Sequence, residues 1–201
     1  MDIQGFLSKL PNTFIPLFVA IDPFWLLPLF MSLTSGATRE RKRGIIRQSL
    51  VTALVVSFAF AALGELIFGV LGITVNDFKI AGGLLLLVLA ILDLTSTEYK
   101  EKLASSQVMG VVPIGVPLIA GPAVLTSILV LVDHYGMAAT MTALTLNFLV
   151  LWASLSFAAR IVEFLGTGGV AALSKIMAIL LASIAVMMIR LGVAGYIAKL
   201  T

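Results

Sequence analysis

FIPLFVAIDPFWLLPLF, residues 14–30, is apolar enough to cross a membrane, yet it carries Pro16, Pro23 and Pro28, with Asp22 directly before Pro23. Proline removes a backbone donor and clashes with the preceding turn, so a helix here is expected to be broken or strongly kinked. Lipid supplies no hydrogen-bond partners, so open backbone at that depth must be covered by protein or line a cavity. Asp22 falls near the middle of the span, where a carboxylate is costly and points to function. VPLIAGPAVLT, residues 116–126, repeats the device with Pro117, Gly121 and Pro122. Two interrupted apolar segments at matching places in two halves of a chain are the best sequence pointer to a transporter binding site.

The rest of the chain fits a membrane setting. Of 201 residues, 60% are hydrophobic and 11% charged, against about half and a quarter in soluble domains. Mean hydropathy is +1.14, and there is little room for a soluble domain. With no cysteine, disulfides, thiolate catalysis and iron–sulfur or Cys-zinc sites are excluded. A single histidine, His134, cannot build a multi-histidine metal site, and no metal or other cofactor is expected. The net charge of +3 is not a nucleic-acid signal, because the basic residues sit at the ends of apolar segments.

Six spans are expected, at about 12–33, 45–71, 78–94, 108–132, 137–162 and 170–197. Residues 1–10 form a short amphipathic interfacial helix or a frayed terminus, and no signal peptide is evident. The only dense charge run, with Arg39, Arg41, Lys42, Arg43 and Arg47, is read as a cytoplasmic loop. The stretch EFLGTGG, residues 163–169, is read as a loop joining the fifth and sixth spans. Gly82 and Gly83 in the third span permit close helix contact, within one chain or between copies of a homo-oligomer. Alternating the spans puts nine basic residues inside and four outside, which places both termini outside the cytoplasm.

Three spans per half force the second half to enter the membrane from the opposite side, so a repeat must be inverted. Pro23 and Pro122 match at an offset of 99, and Lys79 and Lys175, opening the third and sixth spans, at 96. The expected fold is therefore an all-α membrane protein of six transmembrane helices. They form two inverted three-helix repeats, about 1–104 and 105–201, in a single membrane domain over 1–201. The first and fourth helices are broken at Pro/Gly.

A broken helix exposes N–H groups at the start of its second half and C=O groups at the end of its first. A carboxylate suits the former and a cation the latter. The expected binding residues are Ala20, Asp22, Pro23 and Phe24 at the first break, and Ala120, Gly121, Pro122 and Ala123 at the second. Two such breaks face to face suit a small zwitterion such as an amino acid. Asp22 is the candidate for coupling to a proton or cation, a substrate ammonium, or a cap on the half-helix that follows. Thr126, one turn beyond the second break, and Asn147, near mid-span, offer further polar atoms. Glu65 and Arg190 are expected to pair or to reach a water-filled vestibule, since unpaired charge there is costly.

On these residues the chain resembles the MarC-related family of six-span membrane proteins, which includes SnatA-type small neutral amino-acid transporters. The likeness covers nearly the whole chain. It rests on Asp22-Pro23-Phe24 with Pro28-Leu29-Phe30, on Pro117-Leu118 with Gly121-Pro122-Ala123, and on Ile80-Ala81-Gly82-Gly83. Asp22 stands where the family usually has asparagine, and Trp25 and Ala123 where it usually has glycine. A tryptophan at the break narrows or reshapes a pocket, and the carboxylate changes its charge. The resemblance implies transport of small neutral amino acids across a prokaryotic plasma (inner) membrane.

The leading expectation is a secondary transporter of a small polar solute, working by alternating access coupled to H+ or Na+. The alternatives are a non-transporting sensor or assembly partner and an intramembrane enzyme. For the enzyme, Asp93 lies at the wrong depth to join Asp22 as an aspartyl pair, and the histidines for serine or metal hydrolysis are missing. No enzymatic activity is expected.

Overall fold

The computed structural model describes residues 3–95 and 119–200, and their regular structure is helical throughout. The helices are α1 (Ile3–Ile21), α2 (Pro23–Leu33), α3 (Arg39–Leu71), α4 (Val75–Thr95), α5 (Pro122–Tyr135), α6 (Met137–Ser156) and α7 (Ala158–Leu200). Among the described residues five segments are long and apolar enough to cross a membrane: Gln4–Leu33, Arg39–Gly64, Val75–Thr95, Met137–Ser156 and Ala158–Ala198. The 14-residue helix α5 is apolar but shorter. Of the expected fourth span, residues 108–118 lie outside the described residues.

The first span is broken, but at one proline of the three. Asp22 adopts φ 42°, ψ 71°, and Pro23 opens α2 at its first position. There proline costs nothing, because the first helical N–H has no intrahelical partner and the ring presets φ. Pro16 and Pro28 remain inside α1 and α2, as does Pro11. Residues 3–10 are not a separate helix, since α1 runs from Ile3 through Pro11 into the span.

One more boundary differs from the sequence reading. The basic run is the opening of α3 rather than a loop, begun where Thr38 Oγ1 accepts the Arg41 N–H at 3.3 Å. The glycine-rich stretch does join two helices. Helical hydrogen bonds run on through Phe157, from its N–H to the Ala153 carbonyl and from the Ile161 N–H to its own carbonyl, and the break falls within α7 at Gly166, at φ 71°, ψ 162°. Glycine meets no Cβ penalty at positive φ, so the helix kinks there and resumes.

Helix starts elsewhere are written locally. Thr74 and Asp77 form a reciprocal capping box at the start of α4. The Asp77 N–H donates to Thr74 Oγ1 at 3.2 Å and the Thr74 N–H to Asp77 Oδ2 at 2.9 Å. The main core gathers Leu17 and Ile21 of α1, Leu26 and Phe30 of α2, Ala53 of α3, Ile128 of α5 and Leu144 of α6. A second cluster, Leu86, Val130, Ala185 and Met188, joins α4, α5 and α7. Large apolar side chains also face outward along the helices, among them Phe164 at 88% exposure, as a lipid-facing surface requires.

Glycines set the closest approaches, and they do so within the chain. A Cβ on Gly83 would stand 2.7 Å from the Ala185 carbonyl oxygen, and one on Gly192 would stand 2.9 Å from the Asn76 carbonyl oxygen. α4 and α7 are thus in backbone contact, and theirs is the longest interface in the fold.

Candidate functional site

The first break is built around its own carboxylate. Asp22 Oδ1 accepts the Trp25 N–H at 3.2 Å and so caps α2. Its Oδ2 accepts the hydroxyl of Ser174, on α7, at 3.0 Å. Phe18 of α1 meets Phe24 of α2 edge-on, 6.2 Å between centroids, and bridges the interruption. Pro23 is buried, while Ala20, Asp22, Phe24 and Trp25 are half-buried. Trp25 packs on the main core.

The second break starts its helix differently. Gly121 is the N-cap of α5, extended at φ −78°, ψ 175°, and no side chain caps it. Pro122 is again the first helical residue, and the Leu125 N–H closes the first turn on the Gly121 carbonyl at 3.0 Å. The next amides, Ala123 and Val124, have no carbonyl one turn back within the helix. Among the described residues no side chain caps the partial positive charge of this end. Ala120 and Gly121 are buried, Ala123 is half-buried and Pro122 is exposed. Ile21 before the first break and Ile119 and Ala120 before the second contribute to one core.

Thr126 and Asn147 are buried, each engaged with a different helix. Thr126 lies against Gly82 of α4, where an added Cβ would collide with its methyl group. Asn147 Nδ2 donates to the Phe14 carbonyl of α1 at 3.1 Å and to the Ala143 carbonyl at 2.9 Å. Phe14 precedes Asp22 by eight residues, about 12 Å along a helix. Asn147 thus holds α1 well above the break.

Arg190 is exposed on α7, and the side chain of its expected partner Glu65 lies outside the described residues. An ion pair not expected from sequence joins α4 to α5, with Lys79 Nζ 2.8 Å from Asp133 Oδ2. Near it the Tyr196 hydroxyl donates to Asp77, tying the end of α7 to the start of α4. His134 is exposed and stacks edge-on against Tyr135. Sequence reasoning passed over Ser174. Its signal was the run of buried small residues Ser174, Ala178 and Ala185 along one face of α7.

Several apolar spans, apolar outer faces and a helix interrupted inside the first span define a polytopic, all-α integral membrane protein. The model of the MarC family integral membrane protein matches residues 7–197, and the chain belongs to the MarC family. It is 32% identical over 194 residues to the UPF0056 membrane protein MJ0972 of Methanocaldococcus jannaschii, covering 90% of this chain and 85% of that one. It is 27% identical to YvbG of Bacillus subtilis, covering 96% and 98%. It is also 27% identical to YhcE of Escherichia coli, covering 90% of each chain. Both of these carry the same UPF0056 membrane protein description. No solved structure matches the chain.

Proposed function

We propose that this protein is a secondary transporter of a small polar solute, best fitted by a small neutral amino acid. It works by alternating access coupled to H+ or Na+. The observation that carries this reading is the contrast between the two helix starts. One is capped by its own carboxylate at Asp22, and the other, at Gly121, has no side-chain cap. A zwitterion has one group for each: its carboxylate for the amide end of α5, its ammonium for Asp22. Asp22 is also placed to carry the coupling proton or to exchange partners with a cation.

The packing supports an inverted repeat, with six spans and halves at about 1–104 and 105–201. Under such a repeat α2 corresponds to α5, α3 to α6 and α4 to α7. The contacts agree: α2 packs on α6 and α7, while α5 packs on α3 and α4. Two halves related in this way supply the alternation by rocking against each other. In this reading both termini lie outside the cytoplasm of a prokaryotic cell. The chain is not an enzyme, and any homo-oligomer forms through faces other than the α4–α7 glycines. A second reading, a non-transporting sensor or assembly partner, is favoured by Trp25, which packs on the core beside the first break.

The test is uptake of labelled glycine, alanine and serine into proteoliposomes, with H+ or Na+ gradients imposed, for wild type and Asp22→Asn. Gradient-driven uptake that the substitution alters is the expected result. No uptake by folded protein under either gradient sinks the transporter reading and leaves the sensor.

A further inference from the structure

The opening turns of α3 hold five of the chain's 13 basic residues within nine positions: Arg39, Arg41, Lys42, Arg43 and Arg47, against the single acid Glu40. The four arginines are exposed. Among the described residues none of the five has an ion pair. Like charges on one helix repel, and here they add to the partial positive charge of the helix start instead of offsetting it. The Thr38 cap answers one N–H with a neutral hydroxyl and leaves that charge standing. So dense an excess is held at a cost unless anions meet it. Orientation in the membrane asks only for basic residues on this side, in any arrangement.

The arrangement is more specific than that. Residues four apart on a helix stack into one ridge. The ridge through Arg39, Arg43 and Arg47 runs on into Val51 and Val55, and all five residues are exposed. The two valines are 56% and 60% exposed. Ile46 and Ala53 turn a different face of α3 into the main core. With its 33 residues α3 is about 50 Å long, against about 30 Å of hydrocarbon. The largely apolar stretch from Leu50 to Leu71, about 33 Å, is enough to fill that thickness. Arg47 then stands at the hydrocarbon edge, Arg43 a turn out among the headgroups, and Arg39 a turn beyond, with a side chain long enough to reach back.

Guanidiniums leading without a gap into exposed valines match a molecule with an anionic head and apolar tails. A guanidinium binds phosphate through paired N–H donors. Clusters of about four to eight Lys and Arg just outside a membrane span attract anionic lipid. A soluble acidic protein or a nucleic acid would meet the arginines only, since the valines face hydrocarbon. We propose that the Arg39–Arg43–Arg47 ridge of α3 binds the phosphate headgroup of an anionic phospholipid, whose acyl chain lies along Val51 and Val55. The lipid supplies the negative charge that the start of α3 lacks and fixes that start at the membrane surface. The site goes beyond the transport reading and holds whether or not the protein moves a solute.

The experiment is titration of the purified full chain, in neutral detergent, with phosphatidylglycerol or phosphatidylcholine of identical acyl chains, with bound lipid read by native mass spectrometry. Wild type is compared with Arg39→Gln/Arg43→Gln/Arg47→Gln and with Lys9→Gln/Arg160→Gln/Arg190→Gln, which removes as much exposed charge elsewhere. An arginine at a lipid surface contributes about fivefold in affinity. Wild type is therefore expected to favour phosphatidylglycerol about tenfold or more, less so as salt is raised. The ridge variant is expected to lose that preference and the control variant to keep it. Glycerol 3-phosphate, a head without chains, is expected not to displace the lipid at equal concentration. Equal affinity for the two lipids overturns the site, as does a ridge variant that keeps the preference or a control variant that loses it as fully. Displacement by glycerol 3-phosphate also overturns it and hands the arginines to free phosphate. If the triple variant does not fold, Arg43→Gln alone is expected to cut the preference about fivefold, and an unchanged preference there overturns the site equally.

Discussion

At the first break Asp22 stands in the left-handed region and folds its carboxylate back onto the Trp25 amide; at the second, Gly121 is extended and brings no side chain. Both helices then begin with proline. The shared proline fixes where each helix starts, and the residue before it fixes what the start can receive. With a carboxylate in place, the first start has its partial positive charge answered and offers a cation or proton an oxygen. Among the described residues no side chain caps the second, whose N–H dipoles suit an anion. Local chemistry of a single residue thus gives two similar interruptions opposite preferences.

The comparison is most easily broken at Asp22. Asp22→Ala removes the cap and the Ser174 partner together, and gradient-driven uptake is expected to fall at least tenfold, a loss of about 1.4 kcal/mol or more in transition-state terms. Asp22→Asn keeps a cap oxygen and should lose coupling while losing less stability. Next comes Gly82→Val, which drives a branched side chain into Thr126 and pushes α5 away, disturbing the second break only. A stability loss of about 1–3 kcal/mol is expected in denaturant unfolding. Gly121→Ser then gives the second break a cap of its own. Its hydroxyl competes with a solute carboxylate, so KM should rise several-fold while stability gains about 1 kcal/mol or less. The smallest effect on uptake belongs to Ser174→Ala, which deletes one hydrogen bond to Asp22 and should cost about 1–2 kcal/mol of stability. An unchanged uptake rate in that variant would show that α7 only buttresses the carboxylate.

The sequence made the first break legible because proline acts locally. Pro23 lacks an N–H whatever surrounds it, and Asp22 is a capping residue wherever a helix starts beside it. The same reasoning overreached at Pro16 and Pro28, where packing in the bundle holds the helix through the defect. The run at 163–169 was legible for the same local reason. Gly166 takes a positive φ, which costs glycine nothing, and two helices meet there across a kink. Ser174 was out of reach. A serine among apolar residues reads as filler until the facing helix is known. The intrachain role of Gly82 and Gly83 also required a partner, since glycine signals closeness but not to what.

The bond between Tyr196 and Asp77 has a mechanical consequence. It fastens one end of α7 to α4, and Gly192 and Gly83 hold the two helices together along the way. Beyond the last of these contacts, Gly83 against Ala185, Ser174 lies 11 residues farther along α7, about 16 Å. Over such an arm a swing of about 10° sweeps the far end through roughly 3 Å, the length of the Ser174–Asp22 hydrogen bond. The clamped half of α7 thus stays seated on α4 while its other half makes or breaks the contact at the carboxylate.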